Sequence, residues 1–362
     1  MKQRNGIVEC WRLLFTWFVL MFHSAFVSHG EDAMFKGGWI GVEFFFLLSG
    51  YLMAKQESVL IPAEGQTTVG RDTLHFILQK IKRLMPYYTF AILINFVVWN
   101  IPFGGFSRRY VGRAISSLLN YIFAYSAGFR SEDFFYLGYS WYISAMILSM
   151  FLLFPLLRKN RAMFYCVYAP LITVFGMGLF AFLYGKLGYA TSNGWVLSNG
   201  ILRASFNLCL GCLSYVLSEK LKQYQFTRLG AHLLSAVLLL GTVIGSYRII
   251  FLQADHINDF LLVLLFALMI SIAFSEKSSI SFSFRPSVGN LIGNFSYAVF
   301  ITSNCWSYLI ARLFPYWTYQ KAVAVYVVLA LLCACSCMLI CDAFMKWCQK
   351  MRDKVLRTII VC

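Results

Sequence analysis

Two ionisable side chains, Arg12 and His23, interrupt the first long apolar stretch of the chain, at about residues 7–27. Eleven helical steps would bring them to within about 20° of one another, roughly 16 Å apart along the axis. Glu9 stands one turn before Arg12 and can form an i,i+3 ion pair with it. Charged groups at membrane depth face a bundle interior or a wet cavity, which indicates a functional site. A neutral imidazole there could accept a proton, and a guanidinium could bind an anion.

Glu9 and Arg12 also have a plainer interpretation, which these residues alone leave open. Both could lie at the headgroup boundary, where basic side chains snorkel and orient a helix by the positive-inside rule. The motifs that follow along the chain favour the functional site.

The second apolar segment has a polar residue near its start and small residues near its end. It reads GVEFFFLLSGY over residues 41–51, with Glu43 ahead of the phenylalanines. Ser49 and Gly50 are small enough to admit a neighbouring helix or a ligand chain close to the backbone. Taken alone, such a pair serves packing more often than chemistry.

A basic pair, Lys80 and Arg83, comes shortly before Pro86 and the third apolar stretch. As i,i+3 neighbours on a helix, the two can hold phosphate or pyrophosphate through charge-assisted hydrogen bonds. The alternative is a topology anchor at the cytoplasmic mouth of the third span.

The composition sets the class of protein in which these groups act. Of the 362 residues, 60% are hydrophobic and 13% charged, and the mean hydropathy is +0.68, a balance that water-soluble domains do not have. Apolar runs near 20 residues recur, whereas the strands of an outer-membrane barrel alternate. We therefore predict an all-α, polytopic membrane helix bundle in one domain, residues 1–362, with about ten transmembrane helices. The predicted spans lie near residues 7–27, 38–54, 84–101, 139–157, 162–184, 199–218, 229–250, 259–275, 287–311 and 321–347.

The basic residues between spans predict the orientation of the chain. If residues 112–127 do not cross the membrane, the basic loops and the basic tail all lie on one side, which is the cytoplasm by the positive-inside rule. Both termini are then cytoplasmic, residues 55–83 form a cytoplasmic loop with a basic donor-binding mouth, and residues 102–138 form an extracytoplasmic, interfacial or partly re-entrant segment. No small-residue cleavage site precedes Glu31, so the first helix is expected to be retained.

The net charge of +16 follows from this asymmetry and from attraction to anionic headgroups, so no nucleic-acid partner is expected. No metal site is expected among the 11 cysteines either. Most of them lie in apolar spans, where cysteine behaves as a small hydrophobe. Cys333, Cys335 and Cys337 have an i,i+2 spacing that points their side chains apart on a helix, and no histidine is nearby.

The order of these motifs resembles the integral-membrane acyltransferase 3 family, of the cell-surface polysaccharide O-acetyltransferase type. The motifs that carry the resemblance are Glu9-Cys-Trp-Arg12 with His23-Ser24, Gly41-Val-Glu43-Phe-Phe with Ser49-Gly50-Tyr51, Lys80 with Arg83, Ser140-Trp141-Tyr142, and Gly293-Asn-Phe-Ser296-Tyr297. Together they extend from about residue 4 to at least 304. Two positions depart from the family: Glu9 stands where aspartate is usual, and Ser303 stands where a late histidine is often found.

The resemblance implies transfer of an acyl group, commonly acetyl from acetyl-CoA, to a hydroxyl of a cell-surface polysaccharide or glycolipid. His23 is then expected to act as general base, with Arg12 and Glu9 supporting the donor. The resemblance extends the expected donor-binding set to Lys80, Lys82, Arg83, Ser49 and Gly50, and the expected acceptor-binding set to Glu43, Trp141, Tyr142, Ser296 and Tyr297. Acetyl-CoA is expected as co-substrate, with no permanently bound cofactor.

The expected partners are acyl-CoA, a polysaccharide or lipid-linked glycan acceptor and the lipid bilayer, in the cytoplasmic membrane of a bacterium. A homodimer is compatible with the sequence. The competing class is a proton-coupled transporter or a glycan flippase that uses Glu9, Arg12 and His23 as a relay. Carriers tend to have matching halves, and this chain shows no such correspondence.

Overall fold

The computed structural model describes residues 3–27, 34–60, 68–100, 112, 115, 118–121, 141–188, 198–251 and 258–361 as a bundle of helices. The helices are α1 (Gly6–His23), α2 (Gly41–Ser58), α3 (Val69–Asn100), α4 (Trp141–Lys159), α5 (Arg161–Tyr184), α6 (Asn199–Gln223), α7 (Arg228–Phe251), α8 (Asn258–Ser275), α9 (Pro286–Thr302), α10 (Asn304–Leu313) and α11 (Tyr319–Val361). Two short strands, β1 (Arg4–Asn5) and β2 (Ser283–Phe284), pair antiparallel.

Within the described ranges, eight helices are long and apolar enough to cross a membrane. They are α1 with its following turn, α3 to α8 and α11. Helix α2 and the α9–α10 pair fall outside this set, but both pack inside the bundle. Each of the ten predicted spans overlaps a described helix or, at residues 287–311, the α9–α10 pair. The prediction of an all-α polytopic bundle is confirmed.

Helix α3 begins at Val69, well before the predicted start of the third span at residue 84. Thr68 donates a hydrogen bond to Asp72 in the first turn, at 3.0 Å. The early turns also bury Phe76 and Ile77 in the core, which stabilises a helix that hydropathy alone does not reveal. The predicted cytoplasmic loop 55–83 is therefore helical at residues 55–58 and 69–83, and its basic residues Arg71, Lys80, Lys82 and Arg83 lie on α3.

Helices α2 and α6 make the most extensive helix contact of the described bundle. Gly50 on α2 faces the backbone of Leu208, and Gly211 on α6 faces the backbone of Leu47. A Cβ atom at either glycine would overlap the opposing carbonyl oxygen. Small residues thus let the two backbones approach closely, as in many membrane bundles.

Helices α1 and α9 run side by side in the same direction. Arg4, just before α1, contacts Gly289 near the start of α9, and a Cβ at Gly293 would lie 3.1 Å from Arg12 Nη1. At the far end of α1, the Ser24 and Tyr319 hydroxyls are 2.9 Å apart. The start of α11 therefore lies at the same end of the bundle as the end of α1.

A buried ion network joins the ends of α2, α3, α4 and α5. The Glu57 carboxylate is paired with Arg158 at 3.3 Å and with Arg161 at 2.8 Å. Arg158 also binds Asp72 at 3.0 Å. The basic segment at residues 158–161 is thus partly neutralised by carboxylates from two other helices.

Some sequence predictions lie outside the described residues. These include Ser140 of the middle motif and most of the predicted extracytoplasmic segment 102–138, of which the structure describes residues 112, 115 and the turn Leu118–Tyr121.

Candidate functional site

Four basic side chains and one carboxylate form a group around the start of α1. Glu9 is paired with Arg4 at 3.2 Å and with Arg12 at 3.7 Å. Arg12 is within electrostatic range of Arg4 and of Arg83 on α3. Lys80, one turn before Arg83, is within range of both Arg12 and Arg83. We call this group of Arg4, Glu9, Arg12, Lys80 and Arg83 the basic cluster.

Contacts that are distant in sequence hold the basic cluster in place. Arg4 donates to the carbonyl oxygen of Gly289 at 3.3 Å and to Oδ1 of Asn290 at 2.5 Å. A local contact adds to these: the Lys80 ammonium lies 5.5 Å from the centre of the ring of Phe76, one turn earlier on α3. Sequence reasoning missed Arg4, because its partners on α9 lie hundreds of positions along the chain. The β1–β2 pairing is the element that brings it there.

Lys82 does not share the position of its neighbours. Two residues on an α-helix are separated by about 200° around its axis, so Lys82 points away from the face that carries Lys80. Exposure alone does not separate it from Arg83, since both side chains are exposed and Lys80 is half-buried, but Arg83 lies within range of Arg4 and Lys80. The structure therefore brings together two of the three basic residues that were expected on α3 to bind the donor.

His23 ends α1, one continuous helix that also carries Glu9 and Arg12. Its Nδ1 lies 2.9 Å from the carbonyl oxygen of Val19. Because a carbonyl oxygen can only accept, Nδ1 carries the proton of the neutral ring, and Nε2 keeps its lone pair. The ring packs beside Phe22 and Phe26, at centroid distances of 5.4 and 6.1 Å. About 16 Å of helix separates His23 from Arg12, so the two cannot act on one atom.

Tyr142 brings α4 to the basic cluster. It lies within electrostatic range of Arg12, and its hydroxyl is 3.5 Å from the Ser49 hydroxyl on α2. Its ring packs against Phe46 and Phe300, at centroid distances of 4.5 and 5.5 Å. Two predicted site residues, Ser49 and Tyr142, thus meet on one side of Arg12.

Glu43 and Trp141 belong to a second, separate cluster. Arg203 on α6 pairs with the Glu43 carboxylate through Nε at 3.0 Å and also through Nη2, and Asn207 donates to the other carboxylate oxygen. Glu43 and Arg203 are 0% and 1% exposed. The Arg203 guanidinium lies between the rings of Trp39 and Trp141, 5.5 and 5.1 Å away. Both oxygens of Glu43 are therefore occupied by protein groups.

Sequence reasoning also missed Arg203, although a signal was available. An arginine inside the predicted span 199–218 needs a partner at membrane depth. The acids in neighbouring spans were the candidates for that partner.

The other predicted residues, Gly50, Tyr297 and Ser296, differ in their surroundings. Gly50 packs against α6, which leaves no room for a ligand on that side. Tyr297 donates weakly to the Leu84 carbonyl oxygen at 3.5 Å, which orients it toward α3. Ser296 is buried, and its hydroxyl has no hydrogen-bond partner among the described residues.

Comparison with known proteins assigns this chain to a family. A family model described as an acyltransferase domain, that of the acyltransferase 3 family, matches residues 5–345. The chain belongs to this family. The match extends over all the predicted site residues from Glu9 to Tyr297, so the resemblance inferred from the motifs is confirmed.

A shorter match links this acyltransferase-family chain to a curated protein. This chain is 40% identical over 84 residues to the Bacillus subtilis (strain 168) protein named "Putative peptidoglycan O-acetyltransferase YrhL". The match covers 23% of this chain and 12% of that protein. No solved structure matches the chain significantly.

Proposed function

We propose that this protein is a membrane O-acyltransferase that moves an acetyl or other short acyl group from acyl-CoA to a hydroxyl of a cell-surface polysaccharide or glycolipid. The basic cluster is the observation that carries the proposal. Its members are four cations, two of which are paired with Glu9, and this one carboxylate, so the formal charge of the cluster is four minus one, or +3, in a partly buried site. The phosphates of CoA supply the complementary negative charge, and guanidinium groups bind phosphate through paired hydrogen bonds.

His23 acts as the general base at the other end of α1. Its Nε2 takes the proton from the acceptor hydroxyl while the hydroxyl oxygen attacks the thioester carbonyl. The resulting tetrahedral intermediate collapses with cleavage of the carbon–sulfur bond. The departing thiolate then takes the proton from the imidazolium, so an ester and free CoA thiol are formed and His23 returns to its starting state.

Because the basic cluster and His23 lie at opposite ends of α1, the cluster binds the donor and His23 takes part in the chemical step. About 16 Å between Arg12 and His23 fits an extended donor with phosphates at the basic cluster and the thioester beside the imidazole. Arg12 therefore binds the donor rather than the reacting carbonyl oxygen. Ser49 and Tyr142, close to Arg12, line the donor side of this path.

A polysaccharide acceptor on the outer side of the bacterial cytoplasmic membrane completes the proposal. The name of the Bacillus relative, a peptidoglycan O-acetyltransferase, supports a glycan acceptor. Positive-inside counting assigns the start of α1 to the cytoplasm, which supplies acyl-CoA, and assigns the His23 end to the outside. The one-domain organisation, with an extracytoplasmic segment 102–138, belongs to the same proposal.

The test is acyl transfer by the purified protein in nanodiscs. Acetyl-CoA labelled in the acetyl group is expected to yield free CoA and a labelled glycan, and mass spectrometry of the cell envelope with and without the protein identifies the acceptor. A protein that leaves the thioester intact but moves a solute across liposomes would instead be a transporter.

A further inference from the structure

Three buried hydroxyls lack hydrogen-bond partners among the described residues: that of Ser144 on α4, and those of Thr16 on α1 and Ser296 on α9, which lie on two adjacent helices. Thr16 and Ser296 are each 4% exposed, and among the described residues neither Thr16 Oγ1 nor Ser296 Oγ has a hydrogen-bond partner. Other buried hydroxyls of the bundle, such as those of Ser271 and Thr302, donate to a carbonyl oxygen one turn earlier, at 2.8 Å. An unpaired buried hydroxyl costs free energy, so the two groups indicate a missing polar ligand.

Thr16 lies on the stripe that joins the two halves of the proposed site. It follows Arg12 by four residues and precedes His23 by seven. It is therefore within about 40° of both around the helix, about 6 Å beyond Arg12 and about 10 Å before His23.

Contacts on either side place Ser296 at the same level as Thr16. On one side, Gly293 contacts the Arg12 guanidinium. On the other, Leu20 of α1 shares a buried cluster with Val299 of α9. Thr16 lies between Arg12 and Leu20, and Ser296 lies between Gly293 and Val299. Because the two helices run in parallel and each hydroxyl lies midway between the contacts on its own helix, the two hydroxyls occupy facing segments.

We propose that Thr16 and Ser296 form a subsite that binds an amide of the pantetheine arm of acyl-CoA. A hydroxyl can donate one hydrogen bond and accept another, so the pair can satisfy both the carbonyl oxygen and the N–H of an amide. The arm of acyl-CoA carries its amides between the phosphates and the thioester, which is the position of this pair between the basic cluster and His23. This subsite rests on the proposed function.

Binding of two probes to the full chain in nanodiscs tests the subsite. Acetyl-CoA contains the arm, and adenosine 3′,5′-bisphosphate contains phosphates without the arm. Thr16→Val and Ser296→Ala are each expected to weaken acetyl-CoA binding about three- to tenfold, the effect of one net hydrogen bond, while bisphosphate binding stays unchanged. Arg83→Ala is expected to weaken both probes.

Thr302→Val is the matched control, since it removes a buried hydroxyl on the same helix that has its own partner. It should bind both probes like the wild type. Wild-type affinity for acetyl-CoA in both Thr16→Val and Ser296→Ala would overturn the proposed subsite and would indicate that these hydroxyls bind water instead. Equal losses for both probes would overturn it too, because they would show a structural role. If the unaltered protein binds neither probe, the proposed function itself fails. If Thr16→Val does not fold, Ser296→Ala decides alone.

Discussion

At the scale of single residues, the imidazole of His23 is prepared for proton transfer by its own backbone. The Val19 carbonyl holds the Nδ1 proton and leaves Nε2 with its lone pair. His23→Ala should therefore lower kcat for acyl transfer by about 10²–10⁴-fold, the usual effect of removing a general base. Binding of acetyl-CoA should change little, because the basic cluster is intact. Steady-state kinetics and titration calorimetry measure the two effects, and full transferase activity in His23→Ala would contradict the assignment.

Arg83 and Lys82 lie on different faces of α3, so substitutions at these two positions form a matched pair that tests the donor site. Arg83→Ala removes a cation of the basic cluster, and the loss of a charge-assisted hydrogen bond should weaken acetyl-CoA binding about tenfold or more. Lys82→Ala removes an exposed cation on another face and should leave the affinity unchanged. Calorimetric titration at fixed salt compares them. Equal losses for both variants would indicate a diffuse charge effect instead of a built site.

The types of the site residues were predictable, but their partners were only partly so. Glu9, Arg12 and His23 could be assigned to one stripe because helical periodicity is local. Arg4, Thr16 and Arg203 escaped notice because their significance depends on helices far away in sequence. The same reason explains Glu43, which looks available in the sequence and is bound by Arg203 in the fold.

At the scale of helices, the bundle depends on the close contact between α2 and α6. Gly50→Ala places a Cβ against the Leu208 carbonyl, so the helices must separate or shift. We expect a loss of about 1–3 kcal/mol in the free energy of unfolding, as for other overpacked sites. Gly178→Ala on α5, where a Cβ meets nothing within 4 Å, is the control and should be tolerated. Thermal unfolding in detergent compares the two variants. Equal stability of Gly50→Ala and Gly178→Ala would show that α2 and α6 can move apart with little loss of free energy.

The Glu43–Arg203 ion pair, which joins α2 to α6, gives a second prediction about how the helices are held together. Glu43→Leu leaves the Arg203 charge buried without its carboxylate, which typically costs about 3–5 kcal/mol. Replacing both residues, as Glu43→Leu with Arg203→Met, should recover most of that stability, because no unpaired charge remains. Unfolding midpoints of the three variants test this. A Glu43→Leu protein as stable as the wild type but deficient in acyl transfer would contradict the structural role and support the predicted acceptor-binding role of Glu43.

The helices themselves were largely predictable from hydropathy, since a 20-residue apolar run has few alternatives in a membrane. The early start of α3, at Val69, was not predictable from hydropathy. Its first turns are polar on one side, and they are stabilised by packing of Phe76 and Ile77 against the core and by the contacts of Asp72 with Thr68 and Arg158.

At the scale of the whole molecule, the orientation in the membrane decides which substrate reaches which end of α1. The two ends of α11 report on it. Tyr316, just before α11, is 98% exposed, and Cys348 near its other end is also exposed. In a chain stripped of its other cysteines, Tyr316→Cys should react with an impermeant thiol reagent in intact cells. Cys348 should react only after permeabilisation, because the basic tail lies in the cytoplasm. The reverse pattern would place the basic cluster outside, away from acyl-CoA.

The central claim is that one donor molecule extends along α1 from the basic cluster to His23. A cryo-electron microscopy structure with an acetyl-CoA thioether analogue, which cannot transfer its acyl group, tests it most directly. The phosphates should lie within hydrogen-bond distance of Arg12 and Arg83, and the acyl carbon should lie near His23 Nε2. Phosphates bound elsewhere, or an acyl group remote from His23, would contradict the account.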